Sequence, residues 1–524
     1  MLSARHKHDK RAAKKPALHD SMTLELQQAR AAWLEGKYDG ALDMYLRALQ
    51  RDPRNVRAYL VLAQAYAERF QFPDAHAVLK SLCQLAPRDA QLHELAGDLY
   101  TRIRAPQQAL ACFEKAAALP GVTVRALLDL AAACERANRL EQALSVLDRI
   151  VATGEPLREA DLVRARVEHR MKDDTAAEAS LRRIIEALPE DHHLVCQAYG
   201  ELALLRDAHG DYDGAFSAIE VCKRSQLARA DEHWRDSERG LHRLLRTFES
   251  VTQADFDKWH AAGANFEPQR VALLTGFPRS GTTLLEQVLD SHPDVVASEE
   301  TNYYPQCVLP DISRGFLPGV SLDRMLNPMT ETQILDHRRR FLEGMQNFLG
   351  EPLRRRMHVD KNPALMLLVP AQLRIFPELR LLIALRDPRD VVLSAYLRYL
   401  PLNVMSVQFL TLERTARRYA ADMQAWLRLR EMVRAPFCEL RYEDTVRDLP
   451  TQARRALETL GVRWDDRILS YREQLTDKIV SSPTYEAVKQ PIHSRALDRF
   501  RHYEKHLAPV LSTLEPFLKA FGYS

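Results

Sequence analysis

The run Gly276-Phe277-Pro278-Arg279-Ser280-Gly281-Thr282-Thr283 lies between an apolar stretch, Val271-Ala272-Leu273-Leu274-Thr275, and Leu284, Leu285, Val288 and Leu289 at helical spacing. Strand, glycine loop and helix in that order aim backbone N–H groups and a helix N-terminus at an anion. The chemistry such a cradle serves is the handling of phosphate or a phosphate-like group. A triphosphatase loop needs a lysine after its second glycine, and here Thr282 holds that place. Triphosphate cleavage is therefore disfavoured, and a nucleotide kinase with it. Arg279 inside the loop supplies positive charge from another direction, which suits an anion lying across the loop. The bland reading of the loop alone is a strand-to-helix turn.

A second segment weighs against that bland reading. Leu379 to Leu385 reads as a strand running into Arg386-Asp387-Pro388-Arg389-Asp390 and then a helix carrying Val392, Ser394, Tyr396 and Arg398. Arg386 falls where strand ends point at the ligand crevice of an open α/β sheet. Ser394 and Arg398, four apart, are expected on one helix face, where a hydroxyl and a guanidinium can share a phosphate. Without the upstream loop, a solvated helix face would explain these arginines. Two carboxylates stand together in Ala297-Ser298-Glu299-Glu300-Thr301, and a lysine follows an aspartate in Val359-Asp360-Lys361-Asn362-Pro363. Taken singly, these are solvated loop carboxylates and a surface lysine in a turn.

Together, over about residues 268–504, the segments PRSGTTLL, SEET, DKNP and RDPRDVVLSAYLR resemble, in order and spacing, the sulfotransferases that use 3'-phosphoadenosine-5'-phosphosulfate. The resemblance is greatest to those acting on protein tyrosine and to their bacterial relatives with amino-terminal tetratricopeptide repeats. It implies that Arg279, Ser280, Gly281, Thr282 and Thr283 hold the donor's 5'-phosphosulfate, and that Arg386, Ser394 and Arg398 bind its 3'-phosphate. It also implies that Tyr442 borders the nucleotide and that Lys489, in Val488-Lys489-Gln490-Pro491-Ile492, touches a phosphate from a closing segment. Glu300 matches the family's base for the acceptor hydroxyl, with Glu299 as the neighbour to be told apart from it. Lys361 matches the lysine that stabilises the bridging oxygen as the sulfuryl group leaves. Ser481 and Ser482 are candidates for an assisting serine, a role left open because the spacing departs from the tyrosylprotein enzymes. His292 and His358 enter because other sulfotransferases use a histidine base; both are less favoured here than Glu300. Transfer of this kind needs a base, positive charge on developing oxyanions and in-line geometry, and no metal is obligatory.

Stepping N-terminally from the reactive segments, a repeat emerges. Ala41, Ala75, Ala109, Ala143 and Ala177 lie 34 apart. Large apolar residues follow four positions later (Tyr45, Leu79, Phe113, Leu147 and Leu181), and Pro53, Pro87 and Pro189 stand twelve after their alanines. Small and large side chains at helical spacing suit closely crossing antiparallel helices. The segments Gly36-Lys37-Tyr38-Asp39-Gly40 and Gly210-Asp211-Tyr212-Asp213-Gly214 read as turns joining such pairs, the second adding a sixth unit displaced by four. This resembles the tetratricopeptide repeat. Such stacks either grip a peptide or partner protein or act only as a scaffold or dimerisation element, so a protein partner and a homodimer are both admitted.

The expected fold is therefore an α-solenoid of about six tetratricopeptide repeats followed by an α/β P-loop domain with a parallel sheet, sulfotransferase-like. The expected layout is a disordered basic leader over 1–21, the solenoid over 22–228, a connecting helix over 229–264 and the sulfotransferase domain over 265–524. With 524 residues, two domains are required, because single cores stop growing near ~250–300 residues. A balance of 74 basic against 71 acidic residues gives neither nucleic acid nor a membrane surface as a partner. The leader lacks an apolar signal region and no membrane span is expected. The seven scattered cysteines show no C-x-x-C pair and no zinc spacing, so reduced thiols in a cytoplasmic protein are expected. The acceptor stays open at this point: peptide tyrosine, carbohydrate, lipid and small-molecule hydroxyls all fit. The alternative from another class is a repeat-based adaptor with a non-catalytic nucleotide-binding domain.

Overall fold

The computed structural model describes residues 23–523 apart from 156, 191, 314–319, 354 and 475–495. Lys489, Ser481, Ser482 and the basic leader up to residue 22 lie outside the described residues. The chain forms two compact units, which divide at Ala126 and Leu127.

Twelve helices from Leu24 to Leu227 form six antiparallel pairs. Ala41, Ala75, Ala109, Ala143, Ala177 and Ala215 are the small residues of the second helices, each at most 2% exposed. Side-chain caps start several helices where the sequence offers them: Asn55 accepts from the Ala58 amide, Asp89 from Leu92 and Asp173 from Ala176. The turn inside every pair has a left-handed residue at one fixed position: Gly36, Phe70, Arg104, Asn138, Lys172 and Gly210. The residue after it donates back across the turn, from Lys37 to Ala32 O, Gln71 to Tyr66 O, Ala105 to Tyr100 O, Arg139 to Cys134 O, Asp173 to Glu168 O and Asp211 to Arg206 O. These are the six-to-one bonds of a Schellman stop, which satisfy carbonyls left open at a helix end. Glycine serves the position twice; four side chains tolerate it.

Segment 229–264 holds two helices, Asp231–Glu249 and Gln253–Gly263, where one connecting helix was expected. Thr252 breaks the run. Its amide and hydroxyl both donate to Asp255 Oδ2, at 2.8 and 2.7 Å, in a capping box that begins a new helix.

A five-stranded parallel sheet follows: β1 (Val271–Gly276), β2 (Val295–Glu299), β3 (Met357–Lys361), β4 (Arg380–Leu385) and β5 (Phe437–Arg441), in the order β2-β3-β1-β4-β5. Every β1 residue is buried, as expected for a central strand covered on both faces. The helix Thr282–Asp290 packs Leu285, Val288 and Leu289 against Ala272, Leu274 and Val359, and Leu457 and Leu460 join the same core. Because β1 leads outward to β2 and β4 leads the other way to β5, the carboxyl ends of β1 and β4 flank the switch point where such sheets form a crevice. Among the described residues, no helix is long and apolar enough to cross a membrane.

Within the second unit, the sixth helix pair lies against the sheet domain. Gly200 admits Tyr399, since a Cβ on this glycine would stand 2.6 Å from the Tyr399 Cβ. Gln226 Nε2 donates to Leu400 O at 2.8 Å. Phe216 stacks on His506, and Asp213 pairs with Lys505 and His506. The Gly210 to Gly214 turn is thus covered in part by the chain's own carboxyl-terminal segment.

Candidate active site

The parallel register gathers the chemistry at one edge of the sheet. Leu274 in β1 pairs with Lys361 at the end of β3, and Glu299 at the end of β2 pairs with the same lysine. On the other side Gly276 faces Ala384, and Leu385 faces Arg441. Glu300, Arg279, Arg386 and Tyr442 follow immediately after these strand ends, so four loops converge.

The loop after β1 is shaped by two close approaches. A Cβ on Gly276 would meet the Ala384 carbonyl oxygen at 2.4 Å, and one on Gly281 would meet Tyr442 Cδ2 at 2.5 Å. Gly281 also has φ +95 and is the N-cap of Thr282–Asp290, with no side chain to cap the first turn. The amides of that turn and the positive end of the helix are thus available to an anion. Ser280, Thr282 and Thr283 are buried in the loop, and the Ser280 hydroxyl donates to Phe277 O at 2.7 Å.

Arginines face this helix end. Arg279, left-handed at φ +78, donates from Nε to Ser394 Oγ at 3.3 Å. Arg386 donates to Arg279 O at 3.3 Å and to Ala496 O, lies 3.5 Å from Asp390 Oδ2, and sits 4.9 Å above the Tyr442 ring. Partial burial and then the guanidiniums of Arg398, Arg386 and Arg499 hold the Arg279 guanidinium below arginine's usual range. Like charges gathered this closely are stabilised by an anion between them. Arg398 differs from expectation in one respect. The helix Pro388–Tyr396 ends before it, so Ser394 and Arg398 do not share a helix face. Pro401 lies just beyond, and helices end ahead of proline. Arg398 is fixed instead through its carbonyl, which accepts from Lys223 Nζ at 2.7 Å.

Lys361 is a strand-end residue, fully buried, where a turn was expected. Its ammonium donates to Glu300 Oε1 at 2.8 Å and lies 3.2 Å from Glu286 Oε2. Burial works against its charge, but Glu286 and Glu300 outweigh burial and raise its pKa. Glu300 has φ +39, and its side chain is 41% exposed above the buried lysine. Glu299, the last residue of β2, pairs with Lys361 in the backbone register, and its carboxylate adds to the charges that raise the lysine's pKa.

The two histidines lie elsewhere. His292 Nε2 is 2.9 Å from Arg463 O and its Nδ1 accepts from the Asp294 amide. His358 alternates with Lys361 along β3 and so faces the opposite side, where its Nε2 meets Ser298 Oγ at 3.0 Å. Burial pushes its pKa down to about 3. Sequence reasoning missed Glu286, Lys223 and Arg499. Arg499 binds Asp207, at 2.6 Å from Nη2, while contributing charge at Arg279.

Residues 272–466 match the sulfotransferase family, and residues 32–99 and 94–157 match tetratricopeptide repeats. An uncharacterized protein of Aquifex aeolicus is 26% identical over 59% of this chain and 40% of its own length. Protein-tyrosine sulfotransferase A of Caenorhabditis elegans is 26% identical over 47% of this chain and 66% of its own. The chain thus spans less than two thirds of either relative. Among solved structures, the sulfotransferase domain of the Synechococcus PCC 7002 olefin synthase is 18% identical, covering 45% of this chain and 89% of that domain with a TM-score of 0.32.

Proposed function

We propose that this chain, which joins tetratricopeptide repeats to a domain belonging to the sulfotransferase family, moves a sulfuryl group from 3'-phosphoadenosine-5'-phosphosulfate to a hydroxyl acceptor. The observation that carries the reading is the convergence, at one edge of the sheet, of a glycine-capped helix N-terminus, the Arg279–Arg386–Arg398 charges and the Glu300–Lys361 pair. On this reading the loop Arg279 to Thr283 holds the 5'-phosphosulfate. Arg386, Ser394 and Arg398 take the 3'-phosphate, Tyr442 borders the nucleotide, and Lys489 is the candidate for a further phosphate contact.

Glu300 takes the acceptor proton as the acceptor oxygen bonds to sulfur. The bond from sulfur to the bridging oxygen breaks, and Lys361 offsets the negative charge arriving on that oxygen. The products are the sulfated acceptor and 3'-phosphoadenosine-5'-phosphate. Peptide tyrosine is the acceptor we propose to test first, because several similar proteins are named protein-tyrosine sulfotransferases. The repeats over 22–228 recruit the acceptor or its carrier, and the domain over 265–524 carries out the chemistry.

Two experiments test this. Purified chain given labelled donor and tyrosine peptides, sugars or small alcohols should release 3'-phosphoadenosine-5'-phosphate with one acceptor class. Calorimetry should register tight binding of that nucleotide, lost in Arg386→Ala. A preference for ATP with magnesium would overturn the reading.

A further inference from the structure

Three side chains able to ligate a metal, remote from one another in sequence, meet in the first unit. Cys83 stands on Phe72–Leu85, the second helix of the second repeat. His93 and Cys112 stand on Ala90–Arg102 and Pro106–Ala118, the two helices of the third. Their ligand atoms all lie within 4.8 Å of one another, and the two sulfurs are 3.9 Å apart. Two thiolates on one tetrahedral zinc, each at ~2.3 Å, are separated by ~3.8 Å, whereas disulfide sulfurs are ~2.05 Å apart. The sulfur spacing therefore matches the edge of a metal tetrahedron.

The histidine is oriented to complete that figure. His93 is fully buried, its Nε2 lies 3.3 Å from the Pro87 carbonyl, and its Nδ1 is buried without a hydrogen-bond partner. A metal-bound imidazole commonly donates its other N–H to a backbone carbonyl, which fixes the tautomer and turns the second nitrogen to the metal. Cys112 is buried and Cys83 half-buried, which leaves one side of the cluster as an entry path.

We propose that Cys83, His93 and Cys112 form a site for one Zn2+ ion, with water in the fourth position, clipping the second repeat to the third. Binding releases the thiol protons and couples metal occupancy to the stability of this part of the solenoid. The site belongs to the first unit, and the proposal does not depend on the reading given to the sulfotransferase domain.

The test uses the full chain, stripped by chelator under reducing conditions and titrated with Co2+ as a spectroscopic stand-in for Zn2+. One equivalent should produce a thiolate-to-cobalt charge-transfer band and the intense visible bands of a tetrahedral centre, both discharged by Zn2+. The band should vanish in the Cys83→Ser, Cys112→Ser double variant, and affinity should fall at least about tenfold in His93→Gln. A readout needing no variant is alkylation followed by peptide mass spectrometry, in which Zn2+ should protect Cys83 and Cys112 and leave Cys438 unprotected. The proposal fails if cobalt gives no thiolate band, if the band survives in the double variant, or if zinc protects neither cysteine.

Discussion

Lys361 and Glu300 are joined twice: Nζ donates to Oε1 at 2.8 Å, and the Glu300 amide donates to the Lys361 carbonyl at 2.8 Å. The backbone bond holds Glu300 in its left-handed conformation (φ +39), a state that an unconstrained glutamate rarely adopts. The exposed carboxylate is thereby set directly over a buried ammonium, and Glu286, 1% exposed, closes the row from below. On the proposed mechanism, proton acceptor and oxyanion stabiliser are assembled before either substrate arrives.

If this pair acts as a unit, Glu300→Gln and Lys361→Ala should each lower turnover by about 10²–10⁴-fold with nucleotide binding largely kept. The double variant should be little worse than the poorer single one, because groups acting together are non-additive. Single-turnover rates with saturating donor would check this, and full activity in both single variants would exclude the mechanism.

Glu286 sits behind the pair and serves to hold the charge on Lys361. Since Glu286 raises the lysine's pKa, Glu286→Gln should lower it, so the alkaline limb of the pH–rate profile should move to lower pH. A profile unchanged in shape would remove Glu286 from this role.

Lys223 connects the sixth repeat to the arginine cluster by its bond to Arg398 O. Burial pushes its pKa down to about 8 from 10.5. The unfolded chain therefore holds a proton that the folded chain releases between these values, and wild-type stability should rise with pH across that window by up to about 3 kcal/mol. Lys223→Met should lack this slope. It should also weaken nucleotide binding, on the order of tenfold, because a hydrogen bond from a charged donor contributes about 1.5–3 kcal/mol. Urea melts near the two ends of the window and calorimetry would measure both effects.

The turn residues Arg104 and Lys172 adopt φ +56 and +68, where glycine would be unstrained. A left-handed L-residue costs about 1–2 kcal/mol, and glycine returns about 0.5–1 of this as backbone entropy. Arg104→Gly and Lys172→Gly should each stabilise their unit by about 0.5–1 kcal/mol, read from denaturant midpoints.

Much of this architecture was legible because it is local. The 34-residue alanine register predicted the paired helices, and strand, loop and helix around Gly276 to Leu289 predicted an anion cradle. Residues whose surroundings depend on distant register were not legible. Glu286 reads as the polar face of an amphipathic helix until the parallel pairing of β1 with β3 brings Lys361 against it. Lys223 reads as surface charge until the segment around Arg398 covers it. Cys83, His93 and Cys112 lie on three helices, so no linear spacing could bring them together. The end of the helix before Arg398 was readable from Pro401, a signal that the sequence reading, drawn from the i,i+4 spacing of Ser394 and Arg398, did not use.

The far side of β3 carries a second titratable group whose effect on stability has a definite sign. Ser298 Oγ lies 3.0 Å from His358 Nε2 and donates to Asp360 Oδ1 at 3.3 Å, all three fully or nearly fully buried. Burial pushes Asp360 up to about 7 from 3.8, with the Ser298 bond and Lys361 opposing. Folded protein thus binds a proton that the unfolded chain has released between these values. The contribution of Asp360 is full below the lower value and is lost as pH rises through the upper one. Asp360→Asn keeps the shape without the charge, so its stability relative to wild type should increase by up to about 4 kcal/mol between about pH 4 and pH 8. Thermal melts of the two proteins across that range would show it, and a difference independent of pH would mean that Asp360 is ionised throughout.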